Sequence, residues 1–487
     1  MPPVKSSFLE LLASFRPAFR GPVYRNFIVL AVGAVLNHGR QTVCQVLRVF
    51  PWPVEKSWSC FHHFFSSAKW SPLALSKILC SLILDRIPEH HPVFLIIDDT
   101  LIRRWGKKVF RISVHRDPVR SASGTKTVYA RGHQWLVVSI RFSITKRSQC
   151  WALPVFVFHE IAKKVIEQEN KALSRANKSP GQQPDQSGKA KKQPVKAKSR
   201  YRSPTQLIIL GLHLLRRWFP ERCFIVLADG TLNTHELHRY VDCDDHLDVI
   251  GHTRMDTVLH DDPPPRRKGQ RGRPRKIGDR LPSPGQAAQQ QNADWVKADC
   301  LWYGHTTKEL LLLSGTGCWY RSGESVPRIR WVVVRDPEKK NKDIVLSTSC
   351  LDMTPDQIVS AYVRRWSIET MFEESRRHLH IETTENWSKQ SIQRTVPLLF
   401  GLFSMIVLWY SQQPNQHPVS QVAWYQKTEP SFSDALSALR VELWMQAIFP
   451  ESKHPRGFLK KNKEILNSVL FIYSAIAKQK QAWFLFE

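Results

Sequence analysis

The spacing of apolar residues changes several times along this chain, and each change marks a different kind of element. Over residues 1 to about 88 the apolar positions recur every three to four residues between Pro and Gly breaks, as in "YRNFIVLAVGAVLNHGRQTVCQVLRVF" and "EKSWSCFHHFFSSAKW". That period predicts helices, each burying one face. The run "PVFLIIDDT" at 92–100 is short, β-branched and closed by two carboxylates, the pattern of a buried central strand. "KVFRISVH" and "HQWLVVSIRFSI" continue the strand signal. Residues 163–203 then lose their apolar positions to Lys, Pro, Ser and Gln, which predicts a flexible basic excursion. The helix "PTQLIILGLHLLRRWF" and the strand "CFIVLAD", ending at Asp229, follow it.

A second interruption, "DDPPPRRKGQRGRPRKIGDRLPSPGQAAQQQ" at 261–291, is too rich in Pro and Arg for a core. Strand-like runs come next: "LWYGHTTKELLLLSG", "CWYRSG", "RIRWVVVRD" and "DIVLSTS". A helix is expected over about 355–380, and the C-terminal part reads as mainly helical. Its most apolar stretch, "TVPLLFGLFSMIVLWY", is expected to be a core helix and not a membrane span. The resulting plan has a helical unit at 1–88, an α/β unit beginning at 89–260, a basic linker with a β-rich insertion at 261–352, a further helix of the α/β unit at 353–385, and a helical region at 386–487.

Charge adds a partner to this plan. The chain has 71 Lys and Arg against 42 Asp and Glu, a net +29 over 487 residues. A surplus of that size implies a polyanion, with nucleic acid as the first candidate. Nine Cys without a CxxC pair suit a reducing compartment and argue against a structural zinc module. With no secretory layout at the N-terminus, the protein is expected to be soluble and intracellular. His62 and His63 are expected to be packing or surface residues and not ligands, and the "HELH" at 235–238 lacks the spacing of a zinc site.

The candidate chemistry lies in three acidic points. Asp99 ends one apolar strand, Asp229 ends another, and Glu369 lies in "YVRRWSIETMFEESRR" at 362–377. In a regular helix Tyr362, Arg365, Glu369 and Arg376 would fall within roughly 60° of arc, because successive residues turn about 100°. Carboxylates at strand ends sit where α/β sheets tend to bind ligands. Three of them converging would repel one another unless a hard cation such as Mg²⁺ or Mn²⁺ neutralised them. The plainer reading is that Asp99 and Asp229 only cap strand-end turns. Asp98 complicates the first point: strand alternation puts Asp98 and Asp99 on opposite faces, and alternation does not choose between them.

Read as Y-(2)-R-(3)-E-(6)-R, this stretch resembles the signature of DDE transposases from bacterial insertion sequences, in which the last position is Lys. "IDDT" at 97–100 and "LADGTLNTHEL" at 227–237 resemble the first and second Asp motifs of that family, and "GHTRMDTVLHDDPPP" and "RGRPRK" resemble sequences frequent in one of its groups. The resemblance covers roughly residues 90–385. It implies a ribonuclease H-like mixed-sheet α/β core with a β-rich insertion, flanked by helical N- and C-terminal domains, the first of which binds DNA ends. It implies Asp99, Asp229 and Glu369 as catalytic residues and ligands of two Mg²⁺ or Mn²⁺ ions, with Asp99 chosen because it directly precedes Thr100. Tyr362, Arg365 and Arg376 would hold phosphates, and Arg376 departs from the family's Lys.

Further DNA contacts are expected at Arg254 and, in the Arg/Pro tract, at Arg271, Arg273, Arg275 and Lys276, where Arg beside Gly-Arg-Pro suits a narrow minor groove. Similar transposases insert a Trp from the β-rich region to stack on a flipped base, which makes Trp302, Trp319 and Trp331 the candidates, each with a core Trp as the alternative reading. The expected partners are double-stranded DNA, as transposon ends and target, and a second copy of the chain in a dimeric synapse, with no membrane. The expected setting is the bacterial cytoplasm, beside the nucleoid. A DNA-binding repressor derived from such an enzyme, and a stand-alone Mg²⁺ nuclease, are the competing readings.

Overall fold

The computed structural model describes residues 7–117, 119–121, 127–144, 150–178, 199–265, 274–303, 306–338, 342–412, 427 and 429–448. The described residues 7–88 form five α-helices: α1 (Ser7–Ala13), α2 (Gly21–Leu36), α3 (Val43–Val49), α4 (Trp58–Ser66) and α5 (Pro72–Leu84). Apolar residues lie all round α2, because neighbours cover every side of it. Its one close approach falls at Gly33, where an added Cβ would lie 2.7 Å from the carbonyl oxygen of Val46. The polar Asn26 is buried but satisfied, donating to the Cys60 carbonyl at 3.1 Å and accepting from Lys56 Nζ at 2.8 Å.

The sheet begins with β1 (Val93–Arg103), β2 (Ser113–Arg116), β3 (Tyr129–Ser143) and β4 (Cys150–Glu160). After α6 (Lys163–Lys178) and α7 (Pro204–Trp218) come β5 (Phe224–Ala228), α8 (His235–Val241) and β6 (Leu247–Thr253). β1 pairs antiparallel with β3 and parallel with β5; β3 pairs antiparallel with β4, and β5 parallel with β6. The order β4-β3-β1-β5-β6 is a mixed sheet consistent with the ribonuclease H-like core. β1 and β5 lie at its centre, which explains their near-continuous apolar runs.

The basic excursion differs from expectation in its first third. Lys163–Lys178 is a helix, not a flexible tether. Its Glu, Lys and Ala favour helix, Ile166 is buried, and Glu169 pairs with Arg111 while Asn170 holds Ser199. Residues 179–198 of that segment lie outside the described residues.

The insertion supplies β7 (Leu259–His260), α9 (Pro284–Ala287), β8 (Val296–Leu301), β9 (Thr307–Trp319), β10 (Arg328–Arg335) and β11 (Ile344–Thr348). β11 pairs antiparallel with β6, and β10 and β9 follow, so the insertion prolongs the core sheet. A small second core of Leu259, Leu313, Ile329, Trp331, Val333 and Val345 lies within it.

The helix expected over 355–380 is two helices. α10 (Pro355–Val363) gives way to a 3₁₀ turn at Arg364–Trp366, and α11 (Ser367–His378) resumes. α12 (Lys389–Ser411) and α13 (Phe432–Ile448) complete the described chain. Among the described residues α12 alone is long and apolar enough to cross a membrane, and 83% of its apolar window is buried inside the protein. It packs on β4, α4 and α5, and Arg394 donates to the Phe65 and Trp70 carbonyls at 3.1 Å each. The N-terminal helices, the sheet and the C-terminal helices therefore share one continuous core.

Candidate active site

Strand alternation sends the two carboxylates of β1 in opposite directions, and the neighbours of each are now visible. Thr100 accepts a hydrogen bond from Arg376 on α11, so the even-numbered residues of β1 face that helix. Asp98 belongs to this row. Its Oδ2 accepts from Arg365 Nη1 at 2.9 Å, and the second arm of the same guanidinium donates to Glu369 Oε1 at 3.1 Å. The 3₁₀ turn makes this possible by setting Arg365 at the junction of α10 and α11, four residues before Glu369 and beside the Tyr362 ring.

Asp99 faces the other way. Its Oδ2 accepts from Gln134 of β3, and Gln134 lies in register with Glu160 of β4. The sequence-expected trio is thus only partly gathered: Arg365 links Glu369 to Asp98, not to Asp99.

Asp229 directly follows β5. The register sets Ala228 beside Ile97, so the next position falls beside Asp98. Its Oδ1 accepts from Thr231 N, Thr231 Oγ1 and Leu232 N at 2.9 to 3.0 Å. Asp229 therefore does cap the turn after its strand, and its charge also acts on Asp98, Asp99 and Arg365. Capping and site-building coexist in one side chain.

Burial dominates the electrostatics here. It pushes the Asp98 carboxyl up to about 7, against the opposing pull of Arg365 and of the Asp99 backbone N–H, and with further upward pressure from Asp229 and Asp99. Asp99 is also raised, by burial first, with Gln134 opposing and Asp229 adding. Glu160 is pushed up to about 7 by burial and by Asp99. Among the described residues no three His, Cys, Asp or Glu side chains stand as a ready metal cage. The donor chemistry nonetheless suits a hard divalent cation: oxygen ligands only, crowded and costly to ionise without a counter-charge. Arg365, bridging two of the carboxylates, supplies that positive charge.

Residues 15–309 match the family described as DDE superfamily endonuclease, more than half of the chain. The chain belongs to that family. The match spans Asp98, Asp99 and Asp229 and ends before Glu369. Members usually use divalent metals, and DNA is the substrate that the family implies. No curated protein matches the sequence.

Other residues of this DDE endonuclease fall at varying distances from the site. Arg376 bonds Thr100 and the Leu101 carbonyl and approaches Glu382 at 3.6 Å, two turns from Glu369 along α11. Arg254 is exposed and paired with Asp256 at 2.7 Å. Arg275 and Lys276 are exposed, whereas Arg271 and Arg273 lie outside the described residues. His235 sits between Glu324 and the Trp319 carbonyl, and His238 bonds Asn233, so "HELH" fastens α8 to the insertion.

Of the Trp candidates, Trp331 is buried in the insertion core and Trp319 packs on His235 and His238. Trp302 is half-buried against Tyr303. The exposed rings beside the carboxylates are Tyr303 and Trp366, 43% and 53% accessible and 5.8 Å apart. Sequence reasoning missed Trp366, although it directly follows Arg365; solvent exposure was the deciding property, and it has no periodic signal.

Proposed function

We propose that this DDE endonuclease is a DNA transposase of the branch carrying the Y-(2)-R-(3)-E-(6)-K signature. It binds terminal inverted repeats, cuts at the element's ends and joins the freed 3′-hydroxyl to target DNA. The observation that carries the reading is the junction at Arg365, where a carboxylate of β1 and the carboxylate of α11 share one guanidinium beside the Asp229 turn.

The β1 residue we assign to catalysis is Asp98, in place of the Asp99 implied by the resemblance. The sharing of a face with Glu369 and Arg365 supports this choice. Asp98, Asp229 and Glu369 would hold two Mg²⁺ or Mn²⁺ ions. The chemistry such ions supply when bound is activation of water or a 3′-hydroxyl and stabilisation of the leaving oxygen. The chain's own residues do the rest. Arg365 turns from Asp98 toward the scissile phosphate once the carboxylates have another counter-charge. Tyr362, packed against it, keeps that swing short. Arg376 holds the strand of Thr100 in place and presents positive charge on the DNA side of α11. Tyr303 and Trp366 offer rings for an unpaired base. The N-terminal helices read the terminal repeats, and two copies act together because two ends must be cut.

The test is a supercoiled-donor assay with Mg²⁺, scoring nicked, excised and joined products separately. Wild type should give all three. Asp98→Asn should give none while still shifting DNA in a gel, and Asp99→Asn should retain measurable nicking. Nicking that survives in Asp98→Asn and vanishes in Asp99→Asn returns the assignment to Asp99. Excision without joining identifies a nuclease, and binding with no cutting in wild type identifies a repressor.

A further inference from the structure

Away from the carboxylates, one surface sets two arginines, without a carboxylate partner among the described residues, in an ordered row with an exposed Tyr and an exposed Val. β2 pairs antiparallel with the start of β3, with Val114 opposite Arg131 and Arg116 opposite Tyr129. Opposed residues share a face and next-but-one residues repeat it, so these four side chains lie together on one side of a two-stranded ribbon. All four are exposed, Val114 at 62% and Tyr129 at 66%, while Ser113, His115 and Ala130 on the other side are half-buried. Nearby Arg103, Arg111 and Arg120 each pair with a carboxylate. Arg116 and Arg131 pair with none among the described residues. No acidic residue shares their face of the ribbon.

The ribbon also has a fixed relation to the site. Asp98 lies opposite Val137 of β3, and the odd-numbered residues of β3 continue the same row toward Arg131 and Tyr129. At about 3.3 Å per residue these two stand roughly 20 and 26 Å from Asp98 along the strand. That is the length of about six to eight base pairs at about 3.4 Å each. Between these points Trp135 and His133 of the same row are buried, and the loop joining β1 to β2 carries exposed Trp105, Lys107 and Lys108. A two-stranded ribbon is of a size to enter the major groove of B-form DNA.

We propose that the β2–β3 ribbon is a second contact for duplex DNA, seated in the groove about six to eight base pairs from the bond being cut. Arg116 and Arg131 neutralise phosphates on the groove walls, and Tyr129 and Val114 fill the space between them. This rests on the DNA-processing reading of the carboxylate site, and it concerns grip, not chemistry. Nothing in the carboxylate site is altered by changing it.

The test is fluorescence anisotropy of the full chain with a random-sequence 40-base-pair duplex in EDTA, titrated from 50 to 200 mM salt. Each phosphate neutralised contributes about 0.9 to the slope of log K against log salt. The double variant Arg116→Ala/Arg131→Ala should lower that slope by about 1.8, and Arg116→Lys/Arg131→Lys should restore it. An unchanged slope overturns the proposal. So does a loss of self-association in sedimentation with the slope unchanged, which would assign the ribbon to protein contact. Because binding is read without divalent ions, a wild type that fails to cut and join would sink the transposase reading and leave this measurement intact.

Discussion

A double-mutant cycle can decide which β1 carboxylate belongs to the Arg365 junction without any catalysis. The perturbations are Arg365→Ala, Asp98→Asn and the pair, beside a parallel cycle with Asp99→Asn. Arg365 and Asp98 are 2.9 Å apart and each about 14% exposed, so solvent screens their contact little. A charge-assisted hydrogen bond in such a setting contributes about 1.5–3 kcal/mol. The second arm, to Glu369, is an i,i+4 pair with its carboxylate 36% exposed, and contributes only ~0.3–0.5 kcal/mol. The Asp98 cycle should therefore show a coupling near 2 kcal/mol, most of the whole junction. Asp99 makes no bond to Arg365, and its cycle should fall within about 0.5 kcal/mol of zero. Urea midpoints read in EDTA at pH 8.5 suit the measurement, because that pH lies above the raised Asp98 value of about 7 and keeps the carboxylate charged. A coupling in the Asp99 cycle as large as that in the Asp98 cycle would refute the facing deduced from strand alternation.

Three further outcomes can be checked alongside. Wild-type affinity for duplex DNA should fall with salt at a slope of at least about 4.5, for five or more phosphates, and a salt-independent constant would contradict the reading of net charge. Arg376→Lys should keep most cleavage in the donor assay. Arg376→Ala should lose it, along with ~1.5–3 kcal/mol from the bonds to β1, and an Ala variant equal to wild type in both would place Arg376 outside the site. Gly132→Ala should destabilise by about 1–3 kcal/mol or more in urea, since the new Cβ would overlap the Ile102 carbonyl and sit 3.1 Å from the Arg103 Cα; an unchanged midpoint would mean that β1 and β3 can part locally.

The sequence carried the central strands well, because β1 and β5 are covered on both faces and therefore read as unbroken apolar runs. Of the acidic points only Asp229 ends its strand as expected; Asp98 and Asp99 lie in the middle of β1, which runs on to Arg103 through its pairing with β3, and Glu369 lies on α11. The facing of Asp98 and Asp99 was not legible, since period two gives two faces and only a packed neighbour such as α11 names them. The turn at Arg364–Trp366 was hidden because all its residues are compatible with a continuous helix. α6 was missed where composition outweighed pattern: its polar face outnumbers its few anchors, Ile166 among them. The shared core of the first 88 residues with α12 and α13 is a long-range fact, and no local period encodes it.

The join between β6 and β11 has a mechanical consequence. Four paired positions, from Thr253–Val345 to Ile250–Thr348, fasten the insertion to the sheet that carries the carboxylates. A ladder of backbone hydrogen bonds transmits torque but resists bending at a single point, unlike a linker of a few loose residues. The insertion and the strands that carry the carboxylates should therefore turn as one lever. Any gap that must open to admit a duplex has to come from the DNA yielding or from side chains such as Trp366 swinging aside, with the insertion's angle of attack already set when the chain folds.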